Sequence, residues 1–375
     1  MPDGICGKTG FQGNPKSRIL TRTAIEKRNF FKNMISNIHN RKKLLFRTFF
    51  VLLLGAMVMG TSPGSLRAIA KEEKQSVVGF YLDTVITLTA YVEDVSVLDD
   101  GLKECGRYEN LLSRTIEGSD VWKINHAEGQ GVEVSDDTIE ILSTALQVSE
   151  LSEGAFDVTI APASVLWDFT SGKTVLPDAG TLEDAVGKID YRKVKIEGNT
   201  VTLPAGMMID LGGVAKGYIA DAVKTYLRDR GVKHAILSFG GNIVAIGEKP
   251  DGSAWKVGIQ DIDLPTGSYM MVAENRGGST VTSGIYERGF ELDGIWYHHI
   301  LDPQSGWPVQ NELASVTIFS DSSMWGDALA TAAFALGTEK GKEMIEELDD
   351  IEAVFIARDR SAVFSSGAGD YIIQS

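Results

Sequence analysis

Asp327 and Thr331 lie four residues apart in Asp327-Ala328-Leu329-Ala330-Thr331, a run of otherwise small apolar residues. At that spacing a carboxylate and a hydroxyl share one helix face. With a backbone carbonyl and phosphate oxygens they would form the all-oxygen set that suits Mg²⁺, although an acid in the first turn of a helix is also favoured by the dipole alone. A second constellation is Ile209-Asp210-Leu211-Gly212-Gly213-Val214-Ala215-Lys216-Gly217-Tyr218, followed by Asp221. Two glycines ahead of a helix start let backbone approach a ligand, and the helix N-terminus with Lys216 favours phosphate, but the same residues make an ordinary turn. The spacing is not that of a nucleotide-hydrolase P-loop. A third group is Tyr297-His298-His299-Ile300-Leu301-Asp302-Pro303. Adjacent residues of a strand face opposite ways, so the two histidines do not ligate one metal together. One of them would be structural beneath the turn, and an exposed one beside Asp302-Pro303 could act as a general base. The fourth is Glu153-Gly154-Ala155-Phe156-Asp157-Val158-Thr159, then Ala161-Pro162 and Trp167, a small-residue turn with an aromatic and an acid able to wrap a planar ring.

The elements that must position these residues can be read from periodicity. Strand patterns cover Phe80–Tyr91, Trp255–Gln260, Tyr269–Ala273, Thr280–Ser283, Leu313–Ser320, Ala353–Ala357 and Ala362–Ser365. Helical spacing covers 96–114, Asp136–Leu151, Ala215–Arg230 and Met324–Leu336. Lys193–Leu203 reads as a hairpin about Glu197-Gly198-Asn199, and Ala235–Glu248 as a strand broken at Gly240-Gly241. Strands and helices mix without βαβ alternation, which predicts an α+β fold rather than a doubly wound sheet.

The 375 residues carry a net charge of −15, unevenly spread. Residues 1–47 hold eleven Lys/Arg against two Asp/Glu, leaving 25 basic and 49 acidic residues for the rest. So acidic a body excludes nucleic acid as a partner and requires a metal or local N–H groups wherever it binds phosphate. Arg41-Lys42-Lys43, the apolar run Phe49–Met59 and Ala68-Ile69-Ala70 together match a secretory signal or membrane anchor, with Met34 a plausible start. The expected organisation is therefore a basic extension and signal over 1–70, a linker over 71–76 and a single domain over 77–375, held on the extracytoplasmic face of a bacterial membrane. Cys6 and Cys105 make no disulfide framework.

Taken in order along the chain, the segments resemble the ApbE family, the FAD:protein FMN transferases. The pieces are Ser113 with Ser119 and Asn125; Gly154-Ala155-Phe156-Asp157; Asp210 to Tyr218; Gly240-Gly241; Trp255-Lys256-Val257-Gly258-Ile259; Thr282-Ser283-Gly284 with Tyr286; His299 to Pro303 with Gly306 and Pro308; and Asp327 to Thr331. The resemblance implies a two-lobed, T-fold-related domain of mixed sheets and helices with FAD in a cleft. It implies Mg²⁺ on the pyrophosphate, held by the Gly213 carbonyl, Asp327 and Thr331. Leu82, Thr115, Ala155, Phe156, Asp157, Lys216, Asp221, Ser283, Gly284 and His299 would contact FAD, with His299 catalytic. FMN would pass to a Ser or Thr hydroxyl of a partner flavoprotein, releasing AMP. Storage of FAD without chemistry and hydrolysis of FAD to FMN and AMP are the rival readings. The sequence departs from the family at Leu82-Asp83-Thr84, where Met-Gly-Thr is common, and at Thr115, where an aromatic residue is often found.

Overall fold

A computed structural model describes residues 72–169, 174–265 and 267–374. The expected signal, the apolar run and the basic extension lie outside them. The chain runs through β1 (Glu73–Tyr81), β2 (Thr84–Val92), α1 (Ser96–Leu112), α2 (Asp120–Asn125), β3 (Val132–Glu133), α3 (Asp136–Leu151), α4 (Ala161–Ser164) and α5 (Ala179–Val186). Next come β4 (Lys195–Glu197), β5 (Thr200–Thr202), α6 (Ala215–Asp229), β6 (Ala235–Phe239), β7 (Asn242–Ile246), β8 (Trp255–Gln260), β9 (Tyr269–Asn275) and β10 (Ser279–Gly284). The last elements are β11 (Gly289–Leu292), β12 (Ile295–His298), β13 (Leu313–Ser320), α7 (Ser323–Leu336), α8 (Thr338–Glu346), β14 (Glu352–Ala357), β15 (Ala362–Phe364) and β16 (Ile372–Gln374).

Eight strands form the main sheet in the order β1-β2-β6-β7-β10-β13-β14-β15, every neighbouring pair antiparallel. This is the α+β arrangement expected from the irregular mix of strands and helices. Helices α1, α6 and α7 cover one face, packing Leu88, Leu237, Val281, Val316, Ile318 and Phe355 against Leu98, Val223, Leu329 and Phe334. The sheet β16-β9-β8 covers the other face at its far end, where Ile259, Met271 and Ala273 meet Phe319, Val354 and Ile356. Strand β13 is consequently buried at every residue, and its side chains serve two cores in alternation. A third cluster gathers Trp167, Leu182, Phe290 and Leu301 from α5, the β11–β12 hairpin and the loops beside them.

Two local readings change in three dimensions. The expected linker is mostly strand: Glu73–Ser76 open β1, paired through Glu73↔Val92 to Ser76↔Thr89. The expected strand from Phe80 is a hairpin, turning at Leu82 and Asp83, whose φ values are 56° and 55°. Neither residue is a glycine or asparagine, so the left-handed turn had no sequence signal. Its conformational cost is offset from outside, because the Leu82 N–H donates to Glu109 Oε1 on α1 at 2.7 Å. No described helix is long and apolar enough to cross a membrane.

Helix α7 is the element on which the site depends. Gly326, Ala328, Ala330, Ala332 and Ala333 are all buried in it, so neighbouring backbones approach unusually close. The tightest approach is at Gly217 of α6, where a Cβ would stand 2.2 Å from the Ser323 carbonyl oxygen. Only glycine fits. Gly217→Ala is therefore expected to force α6 from α7 and lower the thermal midpoint by roughly 5 °C, the ordinary scale of core overpacking in a domain this size, measurable by calorimetry.

Candidate functional site

Helix α6 begins at Ala215 after Val214, whose side chain cannot cap its free N–H groups. Asp327 of α7 does so from across the interface: its Oδ2 accepts the Gly217 N–H at 3.0 Å. Its Oδ1 faces Lys216 Nζ at 3.5 Å. Asp327 is only 2% exposed, so an unpaired charge there would be costly, and the lysine and the helix N-terminus offset it. One turn on, the Thr331 hydroxyl donates to the Asp327 carbonyl at 3.3 Å and lies 3.3 Å from Ser283 Oγ on β10. Gly213 sits alongside, where a Cβ would be 3.6 Å from Thr331 Oγ1 and 3.0 Å from the Phe156 ring. The sequence-spaced pair and the glycine loop thus converge on one small region. Among the described residues no three His, Cys, Asp or Glu side chains cluster as a metal site. The donors here are of another kind: one carboxylate, one hydroxyl and a glycine carbonyl, all hard oxygen, which fits Mg²⁺ and not zinc.

This region forms part of the wall of a cleft of about 960 Å³, at the upper end of the usual range for small-molecule sites. Leu82, Thr115, Ala155, Phe156, Asp157, Gly213, Lys216, Ser283, His299 and Thr331 all line it, and Asp327 lies immediately behind Lys216. Two expected contacts do not. Asp221 is turned towards the start of α7, accepting Ser322 Oγ at 2.8 Å and the Met324 N–H at 3.0 Å, a cap for that helix rather than a ligand group. Burial pushes its carboxyl up, against those hydrogen bonds. Gly284 closes β10 away from the cleft; its missing Cβ leaves room for the Tyr286 ring, 2.7 Å from where that atom would be. Asp157 lines the cleft but its oxygens are committed, accepting from the Thr159 N–H and hydroxyl and from the Tyr191 N–H.

The two histidines divide their roles as strand alternation required. His298 is fully buried, donates from Nε2 to the Val309 carbonyl at 3.0 Å, and has its pKa brought down to about 4 by burial. His299 turns into the cleft. Its Nδ1 lies 3.2 Å from the Arg288 carbonyl, which can only accept, so the proton is on Nδ1 and the Nε2 lone pair is free. Burial, then the nearby Arg288 and Lys216, pull its pKa down to about 3.

Several cleft residues carried no usable signal in the sequence. Glu287 and Arg288 come directly after Tyr286, yet nothing in their spacing marked them. Enclosure by the cleft walls raises the Glu287 carboxyl, Lys216 opposing. Arg114 reaches Asp210 Oδ2 at 3.2 Å, and Asp210 Oδ1 accepts the Gly212 N–H at 2.8 Å, which fixes the loop entering α6. Phe169, likewise unmarked, stacks 5.3 Å from Trp167 at 9°, and with that tryptophan, which the sequence did single out, it gives the cleft a flat aromatic wall.

The fold and site define an α+β protein with one large cleft, partly aromatic and partly oxygen-rich and cationic. Its sequence matches the family model described as the ApbE family over residues 82–355, and the chain belongs to that family. It is 36% identical over 285 residues to an FAD:protein FMN transferase of Klebsiella pneumoniae (strain 342), covering 75% of this chain and 88% of the relative. A protein of the same name from Treponema pallidum (strain Nichols) is 35% identical over 281 residues, covering 70% and 78%. Among solved structures, the ApbE protein of Thermotoga maritima superposes with a TM-score of 0.74 at 27% identity, covering 80% of this chain and all of its own. The flavin transferase ApbE of Vibrio cholerae gives 0.73 at 26%, covering 80% and 99%.

The depressed His299 pKa has a defined consequence for stability. The unfolded imidazole, at 6.5, binds a proton that the folded one, near 3, refuses, so His299 adds a stability loss as pH falls from above 6.5 towards 3. His299→Asn keeps a donor for the Arg288 carbonyl and removes the titration. Its thermal midpoint is expected to fall less between pH 7 and pH 4.5 than that of the unaltered chain; equal falls would contradict the assignment.

Proposed function

We propose that the chain transfers the FMN half of FAD, with Mg²⁺, to a Ser or Thr hydroxyl of a partner flavoprotein and releases AMP. One observation carries the reading: Asp327, Thr331, Gly213 and Lys216 converge on the wall of a cleft large enough for a dinucleotide. Family membership and the activity for which the Klebsiella and Treponema relatives are named support the same conclusion.

Each residue has its own part in the reaction. Asp327 and Thr331, with the Gly213 carbonyl, would hold Mg²⁺, which when bound neutralises phosphate charge and makes the phosphorus more electrophilic. Lys216 and the N-terminus of α6 bring positive potential to the pyrophosphate, which the acidic body otherwise repels. Trp167, Phe169 and Leu82 offer the apolar wall against which a flavin ring can lie. His299 accepts the proton of the attacking hydroxyl at Nε2, while its Nδ1–H remains anchored on the Arg288 carbonyl. The hydroxyl oxygen bonds to the FMN phosphorus as the bond to the AMP phosphate breaks. With water in place of the hydroxyl the same groups would yield free FMN. We further place the reaction on the outer face of the membrane, on the strength of the basic stretch and apolar run preceding the domain.

The test combines purified protein, FAD, Mg²⁺ and candidate surface flavoproteins, with covalent flavin read as ultraviolet fluorescence on a denaturing gel. Asp327→Ala is expected to lower labelling at least about 100-fold, the scale of losing a principal electrostatic group, and chelation of the metal should do the same. His299→Asn is expected to lower kcat by roughly 10²–10⁴ with little change in FAD affinity. Undiminished labelling by Asp327→Ala overturns the metal assignment; free FMN as the sole product favours hydrolysis.

A further inference from the structure

The two carboxylate oxygens of Asp327 are not equally available to a ligand. Oδ2 accepts the Gly217 N–H at 3.0 Å, a contact set by the packing of α6 on α7. Oδ1 is left for a cation, and Lys216 Nζ already stands 3.5 Å from it. The same ammonium lies 3.4 Å from the Gly212 carbonyl, one turn back. Gly213, Thr331 and Lys216 line the cleft, whereas Asp327 does not. The Asp327 side chain is 3% exposed against 22% for Lys216, so a ligand in the cleft meets the lysine and not the carboxylate. Both contacts of the ammonium are at the outer limit of hydrogen bonding, so charge rather than directed bonding holds it there.

We propose that Lys216 is a latch on Asp327: it covers the oxygen that a cation needs and swings to the pyrophosphate of FAD, so that the metal is admitted with the dinucleotide rather than before it. The proposal rests on the Mg²⁺-dependent reading above. An ammonium and a divalent cation repel each other strongly when both approach one buried carboxylate oxygen, where water screens little. One must therefore leave as the other arrives. Lysine suits the part, being a compact charge on a flexible stem that can change partner while its Cα stays fixed in the first turn of α6. Glu287, also on the cleft wall, attracts the same ammonium, so Asp327 is not its only acidic neighbour. A pyrophosphate brings more negative charge than the single carboxylate and draws the lysine off. Without dinucleotide, a latch open roughly one tenth of the time weakens metal binding roughly tenfold.

The detergent-solubilised whole chain, stripped of metal by a chelator, is titrated with Mn²⁺ in place of Mg²⁺, and free Mn²⁺ is read by electron paramagnetic resonance. Without FAD, Lys216→Met is expected to bind Mn²⁺ roughly tenfold more tightly than the unaltered chain. Arg288→Met, which removes a cation of the cleft wall that has no contact with Asp327, should gain much less. Equal gains in the two variants assign the effect to the general field of the cleft and overturn the latch, as does no gain in Lys216→Met. Fluorescence titration with FAD in chelator should show Lys216→Met binding it roughly tenfold more weakly, the loss of a charge-assisted contact; unaltered affinity overturns the swing to the phosphates. In chelator the thermal midpoint of Lys216→Met should lie roughly 5 °C below that of the unaltered chain, because a buried carboxylate has lost its partner, and excess Mg²⁺ should close the gap. A gap that Mg²⁺ leaves unchanged overturns the proposal, since the cation then does not take the lysine's place. Should Mn²⁺ bind neither chain even with FAD, or bind Asp327→Ala as tightly, the metal reading itself fails and the latch with it.

Discussion

The carboxylate of Asp327 is held where two helices meet almost backbone to backbone, and the organisation of the cleft depends on that contact. A buried carboxylate is costly unless its oxygens are satisfied. Here one oxygen caps the N-terminus of α6 at Gly217 and the other faces Lys216. The cap works only because residue 217 has no side chain, so that the start of α6 can close on the Ser323–Met324 backbone and reach the acid. The same approach carries Gly213 to Thr331 and sets Lys216 at the cleft wall. Packing and chemistry thus have one cause.

Electrostatics then separates the functions of groups a few residues apart. The domain is acidic, yet Lys216, Arg288 and a helix N-terminus place positive groups on the cleft wall, among carboxylates that include Asp83, Asp210 and Glu287. Burial, then Arg288 and Lys216, keep His299 neutral. His298, one residue earlier, is neutral for a different reason: it is wholly enclosed and spends its donor on the Val309 carbonyl. Asp157 and Asp221 show that an acid near the site need not belong to its chemistry. Each is consumed in organising backbone, a turn in one case and a helix start in the other.

The hairpin turn at Leu82-Asp83 lines the cleft, and it differs in how it is specified from the turn at Asp293-Gly294 between β11 and β12. Asp293-Gly294 is a turn dipeptide with its own conformational preference. In Leu82-Asp83 the aspartate tolerates the left-handed backbone but the leucine does not favour it, and the Leu82 N–H is held by Glu109 of a separate helix. The turn is therefore stabilised by a tertiary contact at Leu82.

By itself the sequence determined the features that period and residue chemistry dictate: an α+β fold, the helices bearing Lys216 and Asp327, the opposed faces of His298 and His299, and an oxygen-donor pair one helical turn apart. These are local properties, fixed by side-chain geometry within a few bonds. The roles that a helix start, a turn or an exposed carboxyl take on were decided only by folding, because they depend on partners far away in the chain. Asp221 and Gly284 read as ligand contacts until their neighbours were in place, and nothing in the sequence singled out Glu287, Arg288 or Arg114. No spacing records which distant residues will enclose a group, and enclosure is what separates a solvated charge from a working one.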